Sequence, residues 1–278
     1  MTDFQCGSYR LPRGRPCVMG ILNVTPDSFS DGGHHAGTDQ AVAHAEQMIL
    51  EGADIVDVGG ESTRPGALPV SVVEEISRVV PVVRALVRKN IPVSVDTRHR
   101  DVMDAVLQEG ASMINDIQAL QEPGALSLLA GYEAAICLMH MQGEPGTMQR
   151  NPLYGDVVSE VWAFLHARAR IAEQSGIGRS RILLDPGFGF GKTLDHNLAL
   201  LRTLETGTRG DYPVLVGMSR KSFLGHLTGQ GTGDRLVPSV AAALVAVSRG
   251  VWMLRVHDVA PTCQALKIWQ AVNGGTDS

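Results

Sequence analysis

Polar and charged side chains follow nearly every short apolar run of this sequence, and they are the first candidates for chemistry. A carboxylate can accept two N–H hydrogen bonds from an aminopyrimidine edge, and an asparagine can both donate and accept. Asp96, Asn115 and Asp185 therefore predict recognition of such a ring, unless they form a structural ion network with Lys221 and Arg255. The residues at the ends of the apolar runs are Asn23, Asp57, Asp96, Asn115, His140, Asp185, Ser219 with Arg220 and Lys221, and Arg255 with His257.

Two clusters that contain cations predict anion binding. Residues 219–222 (SRKS) follow an apolar run and begin a helix, where free N–H groups and the helix dipole favour a phosphate or a carboxylate. Arg255 and His257 alternate with Val256, so they point to the same side of a strand. For either cluster, an ion pair with a nearby acid is the structural alternative.

Two polar segments are predicted to be ligand-binding loops. The first, 23–33 (NVTPDSFSDGG), ends in a glycine pair and is typical of a mobile lid, although a simple turn has a similar composition. The second, 59–66 (GGESTRPG), offers backbone N–H groups, two hydroxyls and a guanidinium, which are the donors that a phosphate needs. For the second segment, an ordinary surface loop is the alternative.

A third glycine-rich segment, 185–193 (DPGFGFGKT), invites comparison with nucleotide-binding motifs. A P-loop requires glycine at the position of Pro186, and the dinucleotide fingerprint requires glycine at the position of Lys192. We therefore expect no ATP or dinucleotide site here. We interpret the glycines as allowing the backbone to pass close to a flat ligand.

Eight short apolar runs alternate with stretches of helical periodicity. The clearest helix is 72–88, and a capping box of Ser71 and Glu74 is predicted to fix its start. Buried strands that alternate with helices pair in parallel, because parallel neighbours need a crossover connection. The apolar runs are 17–22, 54–58, 91–95, 111–116, 134–139, 181–184, 213–217 and 251–256.

These elements can form a closed barrel or a doubly wound open sheet. In an open sheet only the loops at one switch point converge on a ligand, whereas in a barrel all eight C-terminal loops surround one mouth. Polar residues at all eight ends favour the barrel. The sequence thus predicts an α/β protein, a single-domain (β/α)8 TIM barrel of about residues 17–272 within 1–278. Residues 1–16 form a short N-terminal extension, expected to be a hairpin or a cap.

Composition excludes several classes of protein. A net charge of -5 argues against a general nucleic-acid or membrane-surface binder, which needs a basic excess.

The four cysteines form no CxxC pair, which predicts reduced, buried thiols rather than a zinc knuckle or a disulfide framework. The nine histidines show no metal-binding spacing. No signal peptide and no run of 18 apolar residues is found, so we expect a cytoplasmic protein.

Residues 19–33 and 52–66 resemble the two signature segments of the dihydropteroate synthases, a family of pterin-binding enzymes. Two departures from the family pattern are Gly146, where a basic residue is expected, and Pro238, where glycine is expected. Both lie outside the residues expected to contact substrates. The resemblance covers about 17–270 and continues through 96–98, 115–117, 139–143, 185–192, 219–222 and 255–258.

The resemblance implies a transferase of folate biosynthesis. It would condense 6-hydroxymethyl-7,8-dihydropterin pyrophosphate with 4-aminobenzoate to give 7,8-dihydropteroate and pyrophosphate. It implies Mg²⁺ held mainly by pyrophosphate, water and Asn23, because Mg²⁺ keeps its waters and needs few protein ligands. It also implies a homodimer. A methyltetrahydrofolate-dependent methyltransferase and a noncatalytic pterin-binding paralogue are the alternatives. The methyltransferase would have no use for three anion-binding groups together, which are Thr63 with Arg64, residues 219–221, and Arg255 with His257.

The resemblance also assigns a role to individual side chains. The residues implied to bind the pterin are Asp96, Asn115, Asp185, Lys221, Arg255, Met139 and Phe190. The residues implied to bind pyrophosphate are Asn23, Thr63, Arg64, Arg255 and His257. The residues implied to bind 4-aminobenzoate are Phe29, Pro65, Phe190, Lys221 and Ser222. The residues implied to act in catalysis are Asn23, Asp27, Arg64, Lys221, Arg255 and His257.

The assignment of Arg64 to the leaving group leads to a test. We expect Arg64→Ala to lower turnover by about 10²- to 10³-fold, the usual cost of removing one donor to developing charge. Binding of the pterin should weaken far less, because the guanidinium is not assigned to the ring. Steady-state turnover and the pterin dissociation constant are the two measurements, and equal losses in both would move Arg64 into the pterin site.

Overall fold

The computed structural model describes residues 3–25, 33–61 and 69–273 of the chain. Eight parallel strands form one sheet, and a parallel bridge between Leu184 and Val214 joins its two outermost strands. The Leu184 amide donates to the Pro213 carbonyl across the same junction at 3.0 Å. The sheet is therefore a closed barrel, and the predicted (β/α)8 fold is confirmed.

The strands match the eight apolar runs, with their ends shifted by one or two residues. The barrel strands are β3 (Cys17–Asn23), β4 (Ile55–Gly59), β5 (Val93–Asp96), β6 (Met113–Asp116), β7 (Ala135–Met139), β8 (Ile182–Asp185), β9 (Leu215–Val216) and β10 (Met253–Val256). The helices are α1 (Gly33–Glu51), α2 (Val72–Arg88), α3 (Arg100–Gln108), α4 (Ala125–Ala130), α5 (Val157–Gln174), α6 (Leu194–Arg202), α7 (Glu205–Thr208), α8 (Ser222–Thr228), α9 (Leu236–Ser248) and α10 (Val259–Asn273).

The capping box predicted for α2 is half present. The Ser71 hydroxyl accepts a hydrogen bond from the Glu74 amide at 3.3 Å, as the sequence predicts. The Glu74 carboxylate does not return to the cap, because it pairs with Arg78 one helical turn further on.

The N-terminal extension forms a hairpin that closes one end of the barrel. Strands β1 (Phe4–Cys6) and β2 (Tyr9–Leu11) pair antiparallel. The Phe4 ring lies 5.0 Å from the ring of Trp252, whose indole donates to the Pro12 carbonyl at 3.0 Å. The buried cluster that the hairpin completes contains Phe4, Cys6, Leu11, Cys17, Met19, Ile55, Met113, Ala135, Cys137, Leu183, Leu215, Trp252 and Met253.

A second, larger cluster fills the space between the outer face of the sheet and the helices. The division follows from strand geometry, because alternate side chains point to opposite faces. Ile55 faces into the barrel, while Val56 and Val58 pack against the helices. All four cysteines are free, and Cys6, Cys17 and Cys137 are buried, as expected for reduced thiols. Among the described residues, no helix combines the length and the apolarity that a membrane span requires.

Candidate active site

The end of the barrel opposite the hairpin carries a buried ion network. Nε of Arg255 donates to Oδ2 of Asp57 at 2.6 Å, and Nη2 of Arg255 donates to Oδ2 of Asp96 at 2.7 Å. Nδ2 of Asn115 donates to the same Asp57 oxygen at 3.1 Å. Strands β10, β4, β5 and β6 each contribute one of these side chains, which their parallel alignment brings to one rim.

The network holds opposite charges out of water. Burial raises the pKa of Asp96 to about 7, and Asp57 adds to this rise, although Arg255 opposes it. Burial alone would lower the pKa of Arg255, but Asp57 and Asp96 outweigh burial and raise it. Arg255 is therefore a permanent cation whose position is fixed by two carboxylates. Such a fixed cation can stabilise developing negative charge with little reorganisation.

Two acceptors in this network have unused hydrogen-bonding capacity. Oδ1 of Asp57 and Oδ1 of Asn115 are buried, and neither has a hydrogen-bond partner among the described residues. Buried polar atoms are nearly always satisfied, and leaving one unpaired costs about 1–3 kcal/mol. A ligand that brings N–H donors to this rim would satisfy them.

Asp185 and Lys221 form the second charged region of the rim. Oδ1 of Asp185 accepts a hydrogen bond from the Gly187 amide at 2.7 Å. Burial raises the pKa of Asp185, and the charge of Lys221 opposes this rise. Burial lowers the pKa of Lys221 to about 8. Nζ of Lys221 donates to the Phe188 carbonyl and lies 4.4 Å from the centre of the Phe190 ring, which places a cation, an aromatic face and a carboxylate together.

Asn23 and Met139 also lie at this rim. Asn23 is paired in register with Gly59, which is paired with Asp96 on the next strand. A Cβ at Gly59 would lie 3.8 Å from Oδ1 of Asn23 and 3.7 Å from Cβ of Asp96, so this glycine leaves the space between them open. Met139 is buried at the end of β7, in register with Asp185.

The residues of the predicted cation cluster 219–222 point in different directions in the structure. Arg220 turns to the surface, where it forms an ion pair with Asp258 at 2.5 Å, so the structural alternative holds for this residue. Ser219 instead contacts His257, since its hydroxyl lies 3.1 Å from Nδ1 of the imidazole. Helix α8 begins at the exposed Ser222, as expected from the sequence.

The glycines of 185–193 have a packing role in the structure. Gly187 has a φ of +69°, and a Cβ there would lie 1.9 Å from the His140 carbonyl oxygen. Gly191 has a φ of +59°, and its Cβ would lie 2.4 Å from the Gln142 carbonyl oxygen. These two glycines allow two barrel loops to pack backbone against backbone. The requirement for glycine at both positions thus comes from loop packing, and their approach to a flat ligand stays a prediction; the third, Gly189, packs against Lys221.

A buried lysine locks the same two loops together. Nζ of Lys192 lies 3.0 Å from Nδ1 of His140 and donates to the Phe190 carbonyl at 3.0 Å. Burial lowers the pKa of Lys192 to about 7 and that of His140 to about 3. His140 was one of the polar residues at the ends of apolar runs. It serves the loop framework rather than the rim.

Asp57 was noted at the end of an apolar run but was assigned no binding or catalytic role, although the structure places it at the centre of the ion network. Its signal is a single carboxylate in the otherwise apolar strand 55–59, at a position that alternation turns into the barrel. Of the described candidates, Asp96, Asn115 and Arg255 meet in the ion network, and Lys221 contacts Phe190. The others lie at or after the C-terminal ends of barrel strands, and they are Asn23, Met139, Asp185, Ser222 and His257. The candidates that lie outside the described residues are Asp27, Phe29, Thr63, Arg64 and Pro65.

Comparison with known proteins connects this rim to one family. The family model described as "Pterin binding enzyme" matches residues 19–257. Dihydropteroate synthase of Neisseria meningitidis serogroup B is 50% identical over 276 residues, which cover 97% of each chain.

Solved structures give the same result. Xanthomonas albilineans dihydropteroate synthase with 4-aminobenzoic acid is similar with a TM-score of 0.92 and 50% identity, covering 98% of this chain and 99% of that chain. Burkholderia cenocepacia dihydropteroate synthase complexed with 7,8-dihydropteroate is similar with a TM-score of 0.88 and 48% identity, covering 98% and 97%.

The packing of Gly187 leads to a stability test. We expect Gly187→Ala to lower the free energy of unfolding by roughly 2 kcal/mol or more, because a methyl group cannot share space with the His140 carbonyl and φ is positive. Gly146→Ala is the matched control, since a Cβ there has no atom within 4 Å and φ is not positive. Urea unfolding measures both variants, and equal stability would show that the loops separate at little cost.

Proposed function

The chain belongs to the pterin-binding enzyme family, and from that membership we propose that its barrel carries out the dihydropteroate synthase reaction. The reaction joins 6-hydroxymethyl-7,8-dihydropterin pyrophosphate to 4-aminobenzoate and releases pyrophosphate, so the protein is a transferase. The observation that carries the assignment of the rim is the set of buried acceptors around a fixed cation. Asp57 and Asn115 each keep an unpartnered oxygen beside Arg255.

The acceptors of the rim suit the pterin ring. The aminopyrimidine edge of a pterin presents adjacent N–H donors, which carboxylate and amide oxygens accept. Asp185, Asp96 and Asn115 supply these oxygens, and Met139 and Phe190 supply apolar contacts. Lys221 donates from the opposite side, while the guanidinium of Arg255 stacks above the ring. Ligand donors would replace the missing partners of the buried oxygens.

The leaving pyrophosphate is assigned to the cationic part of the rim. Asn23, Arg255 and His257 are the described residues of this subsite, and Thr63 and Arg64 complete it in the proposal. The orientation of Arg255 is maintained by Asp57 and Asp96, so its charge is in place before the bond breaks. Removing one such preorganised donor typically costs about 10²- to 10³-fold in rate.

Mg²⁺ is the proposed cofactor, and the donors of the rim fit it. Asn23 offers a neutral amide oxygen close to Asp96, and Mg²⁺ prefers oxygen ligands and keeps several waters. When bound with the substrate, the ion would add positive charge against the pyrophosphate oxygens. The residue proposed to hold it is Asn23, with pyrophosphate and water providing the other ligands.

The bond changes balance without a redox partner. The C–O bond between the pterin methylene and pyrophosphate breaks, and its electron pair leaves with pyrophosphate, so positive charge develops on the methylene. The amine of 4-aminobenzoate then forms the C–N bond with its lone pair and loses one proton to water. The protein stabilises the leaving group and positions the two reactants, which is the main source of catalysis in this scheme.

Asp27 is also assigned to catalysis, within the first loop.

The second substrate is assigned to the aromatic side of the rim. Phe190 and Lys221 already contact each other, with Nζ 4.4 Å from the ring centre. The carboxylate of 4-aminobenzoate would face the start of α8 at Ser222, where backbone N–H groups favour an anion. Phe29 and Pro65 would complete this subsite from the two loops.

A homodimer in the cytoplasm is the finer proposal about assembly and location. Helices α9 and α10 expose apolar side chains, among them Val237 (76% exposed), Ile268 (70%) and Val272 (79%). Such a surface suits an interface between two copies, because interface cores are depleted of charge. Free thiols such as the half-buried Cys263 remain reduced in the cytoplasm.

The reaction itself is the first prediction to check. With the pterin pyrophosphate in Mg²⁺ buffer, we expect pyrophosphate release that depends on 4-aminobenzoate and yields dihydropteroate in equal amount. A coupled phosphate assay and chromatography of the product measure both. Pterin binding without turnover would indicate a noncatalytic paralogue, and the absence of any pterin binding would overturn the assignment of the rim.

The role of Asp185 leads to a further prediction. We expect Asp185→Asn to weaken pterin binding by about tenfold or more, because an amide loses one acceptor and a charge-assisted bond contributes about 1.5–3 kcal/mol. Calorimetric titration with 6-hydroxymethylpterin measures the effect. Asp211→Asn is the control, because Asp211 lies at the surface and pairs with Arg179. An unchanged dissociation constant for Asp185→Asn would exclude this role.

A further inference from the structure

A second group of side chains that could bind a metal lies where the second loop, residues 59–66, begins, outside the barrel rim. Glu61, Glu75 and His99 each offer a ligand atom, and these atoms all lie within 4.8 Å of one another. They come from three elements, because Glu61 follows β4, Glu75 lies in the first turn of α2, and His99 is the N-cap of α3. Their separation along the chain explains why no metal-binding spacing is visible in the sequence.

Glu75 is the unusual member of the group. Glu75 is 1% exposed, and neither of its carboxylate oxygens forms a geometrically acceptable hydrogen bond within the described part of the chain. The nearby Thr97 hydroxyl and the charges of Arg98 and Arg78 lower its pKa. Burial is the larger effect and raises the pKa of Glu75 to about 7. A buried carboxylate without a partner costs several kcal/mol, so it must take up a proton or meet a cation.

The backbone of the loop root packs against this side chain. A Cβ at Gly60 would lie 3.1 Å from Cγ of Glu75 and 2.8 Å from Cγ1 of Val79, so only glycine fits there. Nη1 of Arg78 donates to the Gly60 carbonyl at 2.8 Å and keeps the loop root in place. The Glu75 side chain is thus enclosed beside Glu61 rather than free to turn to solvent.

The other two members also have unused capacity. Nε2 of His99 is buried and has no hydrogen-bond partner. Glu61 accepts hydrogen bonds from Nε of Arg98 at 3.2 Å, from Nη2 of Arg98 at 3.4 Å and from the Val70 amide at 3.3 Å. All three are longer than the roughly 2.7–2.9 Å of a strong charge-assisted bond, so Glu61 is oriented but not saturated.

We propose that Glu61, Glu75 and His99 bind one divalent transition-metal ion of the zinc class. One imidazole nitrogen and two carboxylate oxygens are ligands that zinc accepts, and a three-ligand protein site leaves a position for water. With bonds of about 2.0–2.2 Å, tetrahedral ligand atoms stand roughly 3.4 Å apart, so small side-chain rotations close the site. The imidazole ligand distinguishes this site from the oxygen-only Mg²⁺ site proposed at Asn23.

The ion would connect the second loop to two helices and would also act on the rim. Glu61 directly precedes the loop that carries Thr63 and Arg64. The charge of Glu75 is one of the influences that raise the pKa of Asp96, and a bound cation would cancel it. This consequence for the pterin site rests on the proposed function, but the metal site itself does not.

Metal titration without substrates tests the proposal. The full chain is stripped with a chelator and titrated with Zn²⁺ by calorimetry, and Co²⁺ is added separately to record its visible absorption. We expect one equivalent of each ion to bind. Glu75→Gln and His99→Asn should each weaken the affinity by about 10- to 100-fold or more, since even outer-shell changes have that effect. Zn²⁺ should raise the Tm of the unaltered chain.

Glu74→Gln is the matched control for Glu75→Gln. Glu74 is the preceding residue of α2, but its carboxylate faces solvent and pairs with Arg78. This variant should keep the full affinity, and Asn23→Ala should keep it as well. Circular dichroism checks folding, and His99→Asn carries the test alone if Glu75→Gln does not fold, because asparagine is a favoured N-cap residue.

Two results would overturn the proposal. Unchanged Zn²⁺ affinity in both ligand variants would place the ion elsewhere, for example at Cys263. No saturable binding to the stripped chain would mean that a proton shared with His99 satisfies Glu75. Both results are independent of synthase activity, because no pterin or aminobenzoate is present in the titration.

Discussion

The contact of Arg255 with Asp57 and Asp96 is the interaction on which the rest of the active end depends. It joins β10 to β4 and β5, which do not all neighbour one another in the sheet, and it spans 198 residues of sequence in the case of Asp57. Asp57 is fully buried, so removing Arg255 would leave an uncompensated buried charge, which typically costs about 3–5 kcal/mol. In the proposed reaction, the same set gives a cation with a fixed direction that stabilises the negative charge of the leaving group.

The two ends of the barrel divide stability and chemistry between them. The hairpin end is filled by an apolar cluster that includes Phe4, Met19 and Trp252, and the indole N–H of Trp252 is satisfied by the Pro12 carbonyl. Among the described residues, Asp57, Asp96 and Asp185 point inward at the opposite end, and burial raises the pKa values of Asp96 and Asp185. Polar groups of this kind destabilise the free protein, which the apolar end offsets.

Much of the fold followed from local patterns in the sequence. Apolar runs predicted all eight strands within two residues, and polar residues at every run end predicted closure into a barrel, because each pattern reports on its own strand. The Ser71 cap was predictable for the same reason. Long-range partners were not. The sequence indicated an anion-binding role for Arg220, because it does not show that Arg220 pairs with Asp258. It also does not show that Gly187 packs against His140, which lies on another loop.

The inward direction of the side chains in the ion network can nevertheless be derived from strand alternation, once the barrel is known. Ile55 and Met253 point inward and belong to the apolar cluster, so Asp57 and Arg255, two residues further along, point inward as well. Two residues of strand advance by about 6.6 Å, which is the height of one layer of side chains. Leu183 and Asp185 show the same step. The apolar cluster and the ion network therefore occupy two successive layers of side chains, and strand geometry alone places Asp57 in the layer of the ion network.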